Sequence, residues 1–166
     1  MHAGNHQFLN SIKTQYPDYF RGKSVLELGS LNINGTVRIY FDQCQYIGVD
    51  KTAGPDVDLV CEAKSTSFQP GQFDTIVCTS MFEHDPDWKQ SFGHNLQWLK
   101  SGGLWVASWG AEGNRHHAPD PWAPVLMADM REFVKTLPLH NVDIFWEREK
   151  HAADCDGCAD MTAFKV

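Results

Sequence analysis

The chain has 166 residues, of which 42% are hydrophobic and 21% are charged, and its formal net charge is −7 at pH 7. This length suits one ordinary domain with a single core, and the composition excludes a disordered or low-complexity chain. The negative charge, with lysines and arginines scattered along the sequence, disfavours duplex nucleic acid as a partner.

Membrane and secretion signals are not found in the sequence. No apolar stretch approaches the roughly eighteen residues that a membrane span requires, and residues 1–20 lack the apolar core of a signal peptide. Cys44, Cys61 and Cys78 lie in or beside apolar runs, which favours reduced thiols over a disulfide framework. We therefore expect a cytoplasmic protein with no membrane segment.

The first predicted element is an amphipathic helix. Phe8, Leu9, Ile12 and Tyr16 recur at helical spacing, and the pattern stops at Pro17, which cannot continue a helix. We expect this helix to cover part of the core.

Four short apolar runs follow and predict four strands, at residues 24–28, 46–49, 57–61 and 73–78. Residues 35–41, between the first two strands, have a helical pattern. Polar residues stand where the last three of these strands end: Asp50, Glu62, and Thr79 with Ser80.

The second half of the chain predicts two helices and three strands. Asp85 and Pro86 form a helix-start signal, because aspartate accepts hydrogen bonds from free backbone N–H groups and proline suits the first turn. A strand at 104–109 leads into residues 110–124, a long loop rich in Gly, His and Pro, which makes it a candidate substrate region. A helix over 127–137 and two strands, at 142–146 and 161–166, complete the chain.

This alternation predicts an α/β fold, a doubly wound and mostly parallel sheet with helices on both faces. The last two strands predict an antiparallel C-terminal hairpin. Ligands bind such sheets outside the carboxyl ends of the strands, where Asp50, Glu62 and Ser80 would lie together. Taken singly, each acid is equally well explained as an ordinary turn residue.

Five short motifs stand in the order and spacing found in class I, S-adenosylmethionine-dependent methyltransferases. They are VLELGS at 25–30, YIGVD at 46–50, FDTIV at 73–77, FEH at 82–84 and LKSGG at 99–103. Each motif is weak alone, but the ordered set resembles this family, and the methyltransferase type 11 group in particular, over residues 24–109.

The resemblance implies one methyltransferase-like domain over residues 1–166. Its expected parts are an N-terminal helical segment at 1–20, a cofactor-binding core at 24–109, a substrate-side loop at 110–127, and a C-terminal helix and hairpin at 128–166.

The resemblance also implies S-adenosylmethionine as the cofactor. Glu27 would bind the amino group of the cofactor, and backbone N–H groups at Gly29 and Ser30 would meet its carboxylate. Asp50 would accept hydrogen bonds from the ribose hydroxyls. The other implied cofactor residues lie in the first loop and at the later strand ends: Asn34, Lys51, Glu62, Ala63, Ser80 and Met81.

The first loop departs from the family pattern of three closely spaced glycines. It reads GSLNING at 29–35 and lacks the middle glycine. Asn32 and Asn34 tolerate positive φ better than most residues, so we expect the turn to form through them. The same loop argues against a nicotinamide dinucleotide, whose pyrophosphate needs Gly-x-Gly-x-x-Gly.

Methyl transfer requires alignment of the acceptor with the methyl carbon and sulfur, and a base only where the acceptor must lose a proton. The candidate bases are His84, after the fourth strand, and His116 and His117 in the long loop, because imidazole titrates near neutral pH. A packed His84 and surface positions for the other two are the open alternatives. Trp109 and Trp122 could add an aromatic wall.

Cys155 and Cys158, preceded by His151, resemble half of a zinc site. No second ligand pair stands nearby, and a hairpin turn between the last two strands explains the spacing better. We predict no metal.

The sequence thus predicts a methyltransferase that acts on an unidentified small molecule or protein. A homodimer is an open alternative, because a second subunit could contribute to specificity. The rival hypothesis is a non-catalytic cofactor-binding or assembly protein that retains the fold. Glu27 and Asp50 favour cofactor binding, whereas the altered glycine loop is typical of a decayed site.

Overall fold

The computed structural model describes residues 3–112, 123–146 and 157–166, which form one sheet with flanking helices. The strands are β1 (Ser24–Leu28), β2 (Gln45–Asp50), β3 (Leu59–Val60), β4 (Phe73–Thr79), β5 (Leu99–Gly110), β6 (Leu139–Trp146) and β7 (Cys158–Lys165). The α-helices are α1 (Ala3–Gln15), α2 (Trp88–Leu96) and α3 (Met127–Val134). Short 3-10 turns stand at Pro17–Tyr19, Val37–Tyr40, Ala63–Ser65 and Phe82–His84.

The sheet has the strand order β3-β2-β1-β4-β5-β7-β6. Neighbouring strands from β3 to β5 are parallel, whereas β7 runs antiparallel to both β5 and β6. The order reverses between β1 and β4, and at such a point the strand connections diverge and leave a crevice at the carboxyl ends. The predicted doubly wound sheet and its antiparallel C-terminal hairpin are confirmed.

Different helices cover the two faces of the sheet. Successive side chains of a strand point to opposite faces, so Val25 packs in the cluster that includes α1, and Leu26 packs in the cluster that includes α2 and α3. The predicted Phe8, Leu9 and Ile12 are among the residues that α1 buries, whereas the predicted Tyr16 is half-buried just beyond its end. The amphipathic N-terminal helix is therefore confirmed.

The α-helix predicted over residues 35–41 is wrong, because only the 3-10 turn Val37–Tyr40 forms there. The Thr36 hydroxyl starts this turn by accepting a hydrogen bond from the backbone N–H of Arg38 at 3.2 Å, and Phe41 is already extended. The β-branched side chains in this segment have little preference for a helix. The first βα unit of the fold thus lacks an α-helix.

Other boundaries also differ from the expectation. β3 is shorter than the predicted strand, and its Leu59 and Val60 are exposed at the edge of the sheet. α2 begins at Trp88, although the carboxylate of Asp85 still accepts a hydrogen bond from the backbone N–H of Asp87 at 2.9 Å. β5 begins earlier than predicted, at Leu99.

Among the described residues, no helix is long and apolar enough to cross a membrane.

Candidate cofactor and active site

A cavity of about 370 Å³ opens at the carboxyl ends of β1, β2 and β4, and we call it the strand-end cavity. Its walls are the loop after β1, the residues that follow β2 and β3, the residues after β4, and the start of α2. The predicted cofactor residues that line it are Gly29, Asp50, Lys51, Glu62, Ala63, Ser80 and Met81. His84 also lines it. Glu27, Ser30 and Asn34 are not among the lining residues.

Asp50 stands at the centre of this edge with a fixed carboxylate. One oxygen, Oδ2, accepts a hydrogen bond from the backbone N–H of Leu31 at 3.2 Å, and Oδ1 accepts one from the N–H of Thr52 at 2.8 Å. A carboxylate oxygen has a second lone pair after one such bond. Asp50 can therefore accept further hydrogen bonds from a ligand in the cavity without moving.

Gly29 brings the loop after β1 into contact with the residues after β4. Its φ is +77°, and a Cβ atom built on it would lie 2.7 Å from the Cβ of Met81. Both the backbone angle and the close approach require a residue without a side chain. The backbone N–H groups of Gly29 and Ser30 both donate to the carbonyl of Val49, at 2.8 and 3.0 Å.

The expectation that Asn32 and Asn34 form the loop through positive φ angles is wrong. The positive angles in this loop belong to Gly29 and Gly35. Asn32 acts through its side chain instead: its Nδ2 donates to Asp56 Oδ2 at 2.7 Å, and its Oδ1 accepts from the N–H of Gly35 at 2.8 Å.

Glu27 is buried behind the cavity, with 3% of its surface exposed. Its Oε2 accepts a hydrogen bond from the hydroxyl of Tyr46 at 2.8 Å. Burial raises the pKa of this carboxyl to about 7, and the hydrogen bond from Tyr46 and the charge of Arg38 offset only part of that effect. Glu27 thus holds its proton far more readily than an exposed glutamate does.

Ser30 also turns away from the cavity. A Cβ atom on Gly48 would lie 2.7 Å from the Ser30 hydroxyl and 2.5 Å from the backbone oxygen of Asp56. Ser30 is buried, and its hydroxyl has no hydrogen-bond partner among the described residues. Its side chain therefore packs between the sheet and the loop before β3.

One side of the cavity carries an ion pair that the sequence analysis missed. Lys64 Nζ lies 2.7 Å from Asp87 Oδ2 and 3.5 Å from Glu62 Oε2. The pair joins the 3-10 turn after β3 to the residue before α2. The sequence positions could have indicated this ion pair. Asp87 directly follows the helix-start pair Asp85 and Pro86, and Lys64 stands two residues after Glu62.

Glu83 is a second residue that the sequence analysis did not select. It is 5% exposed, its carboxyl accepts a hydrogen bond from the backbone N–H of Gly110, and its backbone oxygen accepts one from Ala123 at 2.9 Å. Burial raises the pKa of this carboxyl to about 7, and its Oε2 has no partner among the described residues. Glu83 thus contacts both described ends of the segment between β5 and α3.

The other expectations have mixed outcomes. Trp109 is buried in the core, where its Nε1 donates to the carbonyl of Val125 at 2.9 Å, so its predicted place in an aromatic wall is wrong. Trp122, His116, His117, His151 and Cys155 lie outside the described residues. Cys44, Cys61 and Cys78 are free thiols, as expected.

No group of three side chains in the described part of the chain could hold a metal ion. Because the Cys155 region is not described, the absence of a metal stays a prediction.

The comparisons with known proteins agree with this architecture. Residues 34–107 match the family model described as a methyltransferase domain. No curated protein matches the chain.

Solved structures match over nearly the whole chain. The 1,6-didemethyltoxoflavin-N1-methyltransferase of Burkholderia thailandensis, with bound 1,6-didemethyltoxoflavin and S-adenosylhomocysteine, is 18% identical with a TM-score of 0.74, over 99% of this chain and 79% of that one. Phosphoethanolamine N-methyltransferase 2 of Haemonchus contortus, in complex with S-adenosyl-L-methionine, is 17% identical with a TM-score of 0.71, over 96% of this chain. This chain spans 52% of that enzyme.

A third neighbour has a different reaction in its name. The [4+2]-cyclase SpnF is 15% identical with a TM-score of 0.70, over 96% of this chain and 80% of that one. At these identities the structures show the fold alone. Over residues 34–107, and in its fold, the chain is similar to the class I, S-adenosylmethionine-dependent methyltransferases.

Proposed function

We propose that this protein binds S-adenosylmethionine in the strand-end cavity and transfers its methyl group to a small-molecule acceptor. The observation that carries the proposal is the cavity itself, because it combines the Asp50 carboxylate with the close contact of Gly29 and Met81 at the carboxyl edge of the sheet. Ligands bind at this edge in doubly wound sheets.

The residues present fit the parts of this cofactor. Asp50 offers acceptor lone pairs for two hydroxyl groups, and its two backbone partners fix the carboxylate before any ligand binds. Leu31, Ala63 and Met81 supply apolar surface for a flat base and for the methylene groups beside the sulfur. Gly29 holds the loop backbone against Met81, and we place the amino-acid end beside this contact.

The chain's own residues would mainly bind and orient the cofactor and the acceptor. When bound, S-adenosylmethionine supplies an electrophilic methyl carbon attached to a positively charged sulfur. Ser80, Met81 and His84 line the cavity on the side that follows β4, so they are the residues we assign to the region of transfer. His84 is the proposed base where the acceptor must lose a proton.

The acceptor side is proposed from the sequence and from two neighbours. His116 and His117 stay candidate bases in the loop after β5. The Burkholderia and Haemonchus enzymes act on small molecules by their names, which favours a small-molecule acceptor over a protein one. Cytoplasmic location, a homodimer and the division of the single domain stay predictions.

Calorimetry with S-adenosylmethionine and S-adenosylhomocysteine tests the cofactor proposal. We expect Asp50→Ala to weaken binding by roughly one to three kcal/mol, because bound hydroxyls would lose a charged acceptor. Asp42→Ala is the matched control, since Asp42 is exposed and pairs with Arg21 away from the cavity. No binding by the wild type, or equal binding by Asp50→Ala, would contradict the proposed site.

A second candidate function is a protein that keeps the fold and the cofactor but does not transfer methyl groups. The cyclase SpnF supports this alternative, because its name gives a reaction other than methyl transfer for a protein with this fold. Screening labelled S-adenosylmethionine against metabolite and peptide panels separates the two. Transfer to any acceptor supports the enzyme, whereas tight cofactor binding without transfer across the panels supports the alternative.

A further inference from the structure

The loop after β1, residues 29–36, reaches the strand-end cavity without an α-helix behind it. Leu31 and Ile33 line the cavity on either side of Asn32, and the chain then enters only the 3-10 turn Val37–Tyr40. A helix of several turns would fix such a loop through its own hydrogen bonds. Here the loop must be held by other groups.

Asp50 accepts a hydrogen bond from the backbone N–H of Leu31, and the other holding groups come from residues 51–58, between β2 and β3. The backbone N–H of Asn32 donates to the carbonyl of Pro55 at 3.1 Å. The Asn32 side chain donates from Nδ2 to Asp56 Oδ2 at 2.7 Å and accepts at Oδ1 from the N–H of Gly35 at 2.8 Å. One side chain thus ties the loop to its own far end and to the connection beside it.

Asp56 is itself held in an uncommon conformation. Its φ is +65°, an angle that costs free energy for a residue with a Cβ atom, although aspartate and asparagine tolerate it best. Its backbone oxygen accepts a hydrogen bond from Arg38 Nη2 at 3.1 Å, and Arg38 also pairs with Asp58. The acceptor for the Asn32 amide is therefore fixed in place from a second direction.

We propose that Asn32 is a positioning residue for the cofactor, whose amide holds residues 31–33 in their binding conformation by pairing with Asp56. Its hydrogen bonds fix the conformation of the loop, in place of the middle glycine and the α-helix that this chain lacks. The inference rests on the proposed function. Because Asn32 does not line the cavity, it acts through Leu31 and Ile33.

Exchanging the two side chains tests this pairing. Asn32→Asp places two carboxylates face to face, and we expect it to weaken S-adenosylmethionine binding about tenfold, since a charge-assisted hydrogen bond is replaced by repulsion. Asp56→Asn should have little effect, because an amide oxygen can still accept from Asn32. The double variant Asn32→Asp with Asp56→Asn should regain most of the affinity, because an amide again faces a carboxylate.

A further variant separates positioning from general stability. Asp56→Gly suits the φ of +65° but removes the acceptor for Asn32, so we expect unchanged thermal stability together with weaker cofactor binding. Asn10→Asp, the same chemical change on the exposed side of α1, is the control and should bind as the wild type does.

The wild-type measurement comes first and separates the two ideas. If the wild type does not bind S-adenosylmethionine, the proposed function fails. If the wild type binds and Asn32→Asp binds equally well, the positioning role of Asn32 is wrong. Loss of affinity in Asn32→Asp without recovery in the exchanged double variant also overturns the pairing.

Discussion

Gly29 and Gly22 share a positive φ, at +77° and +65°, but differ in what surrounds them. A Cβ atom on Gly29 would lie 2.7 Å from the Met81 Cβ, whereas a Cβ on Gly22 would have nothing within 4 Å. A side chain at either position would strain the backbone, but only a side chain at Gly29 would also collide with Met81. Substitution at Gly22 therefore measures the free-energy cost of backbone strain alone.

We expect Gly22→Ala to lower the free energy of unfolding by roughly 1 kcal/mol, the usual cost of a side chain at positive φ. Gly29→Ala should cost more and should also weaken S-adenosylmethionine binding, because Met81, which lines the cavity, must shift. Urea unfolding and calorimetry on both variants measure these effects. Equal losses of stability with intact binding would contradict the assigned role of Gly29.

At the scale of elements, Glu83 links the 3-10 turn after β4 to the end of β5 and to residue 123. Its carboxyl accepts from the N–H of Gly110, and its backbone oxygen accepts from the N–H of Ala123. We expect Glu83→Ala to speed hydrogen exchange at Gly110, while Glu83→Gln, which keeps an acceptor oxygen, should leave it slow.

Glu112 provides the matched control for Glu83. Its Oε2 accepts from the backbone N–H of Met127 at 3.0 Å, at the start of α3. Glu112→Ala should therefore speed exchange at Met127 and spare Gly110. If Glu83→Ala and Glu112→Ala change the same amides, the separate link through Glu83 is not supported.

At the scale of the whole molecule, the buried carboxyls of Glu27 and Glu83 contribute to the pH dependence of stability. Burial raises the pKa of Glu27 and of Glu83 from 4.5 to about 7. Between these values the folded protein retains protons that the unfolded chain has released. Since stability falls with rising pH wherever the folded state binds more protons, it should decline from about pH 4.5 to about pH 7 and then level off.

Neighbouring groups modify the size of this decline at Glu27. The hydrogen bond from Tyr46 and the charge of Arg38 lower the pKa of Glu27 and offset part of the burial effect, whereas the charges of Asp56 and Asp58 raise it. Each carboxyl lowers the free energy of unfolding by roughly 3 kcal/mol at most over this range. Urea unfolding between pH 5 and pH 8 should show the decline, and Glu27→Gln with Glu83→Gln should flatten it. Stability that rises over this range would refute the assignment.

The sequence by itself determined the order of most elements and the edge of the sheet at which the strand-end cavity opens. Apolar runs with polar residues at their ends predicted β1, β2 and β4, because a buried parallel strand needs an apolar run and its ligand-binding residues follow its carboxyl end. Asp50 and Ser80 follow such runs and line the strand-end cavity as expected, whereas Met81 was named from the family resemblance. The position of such a residue at the sheet edge follows from its place in the sequence, directly after a strand.

Only the tertiary structure decided how the individual side chains are used. Glu27 pairs with Tyr46 behind the cavity, Asn32 pairs with Asp56, and Trp109 packs in the core beside Val125. Each of these contacts joins residues from different strands or loops, and the faces that meet depend on strand pairing and packing. A local pattern records the type of a residue and its periodicity, but the partner of a buried polar group is fixed by the fold as a whole.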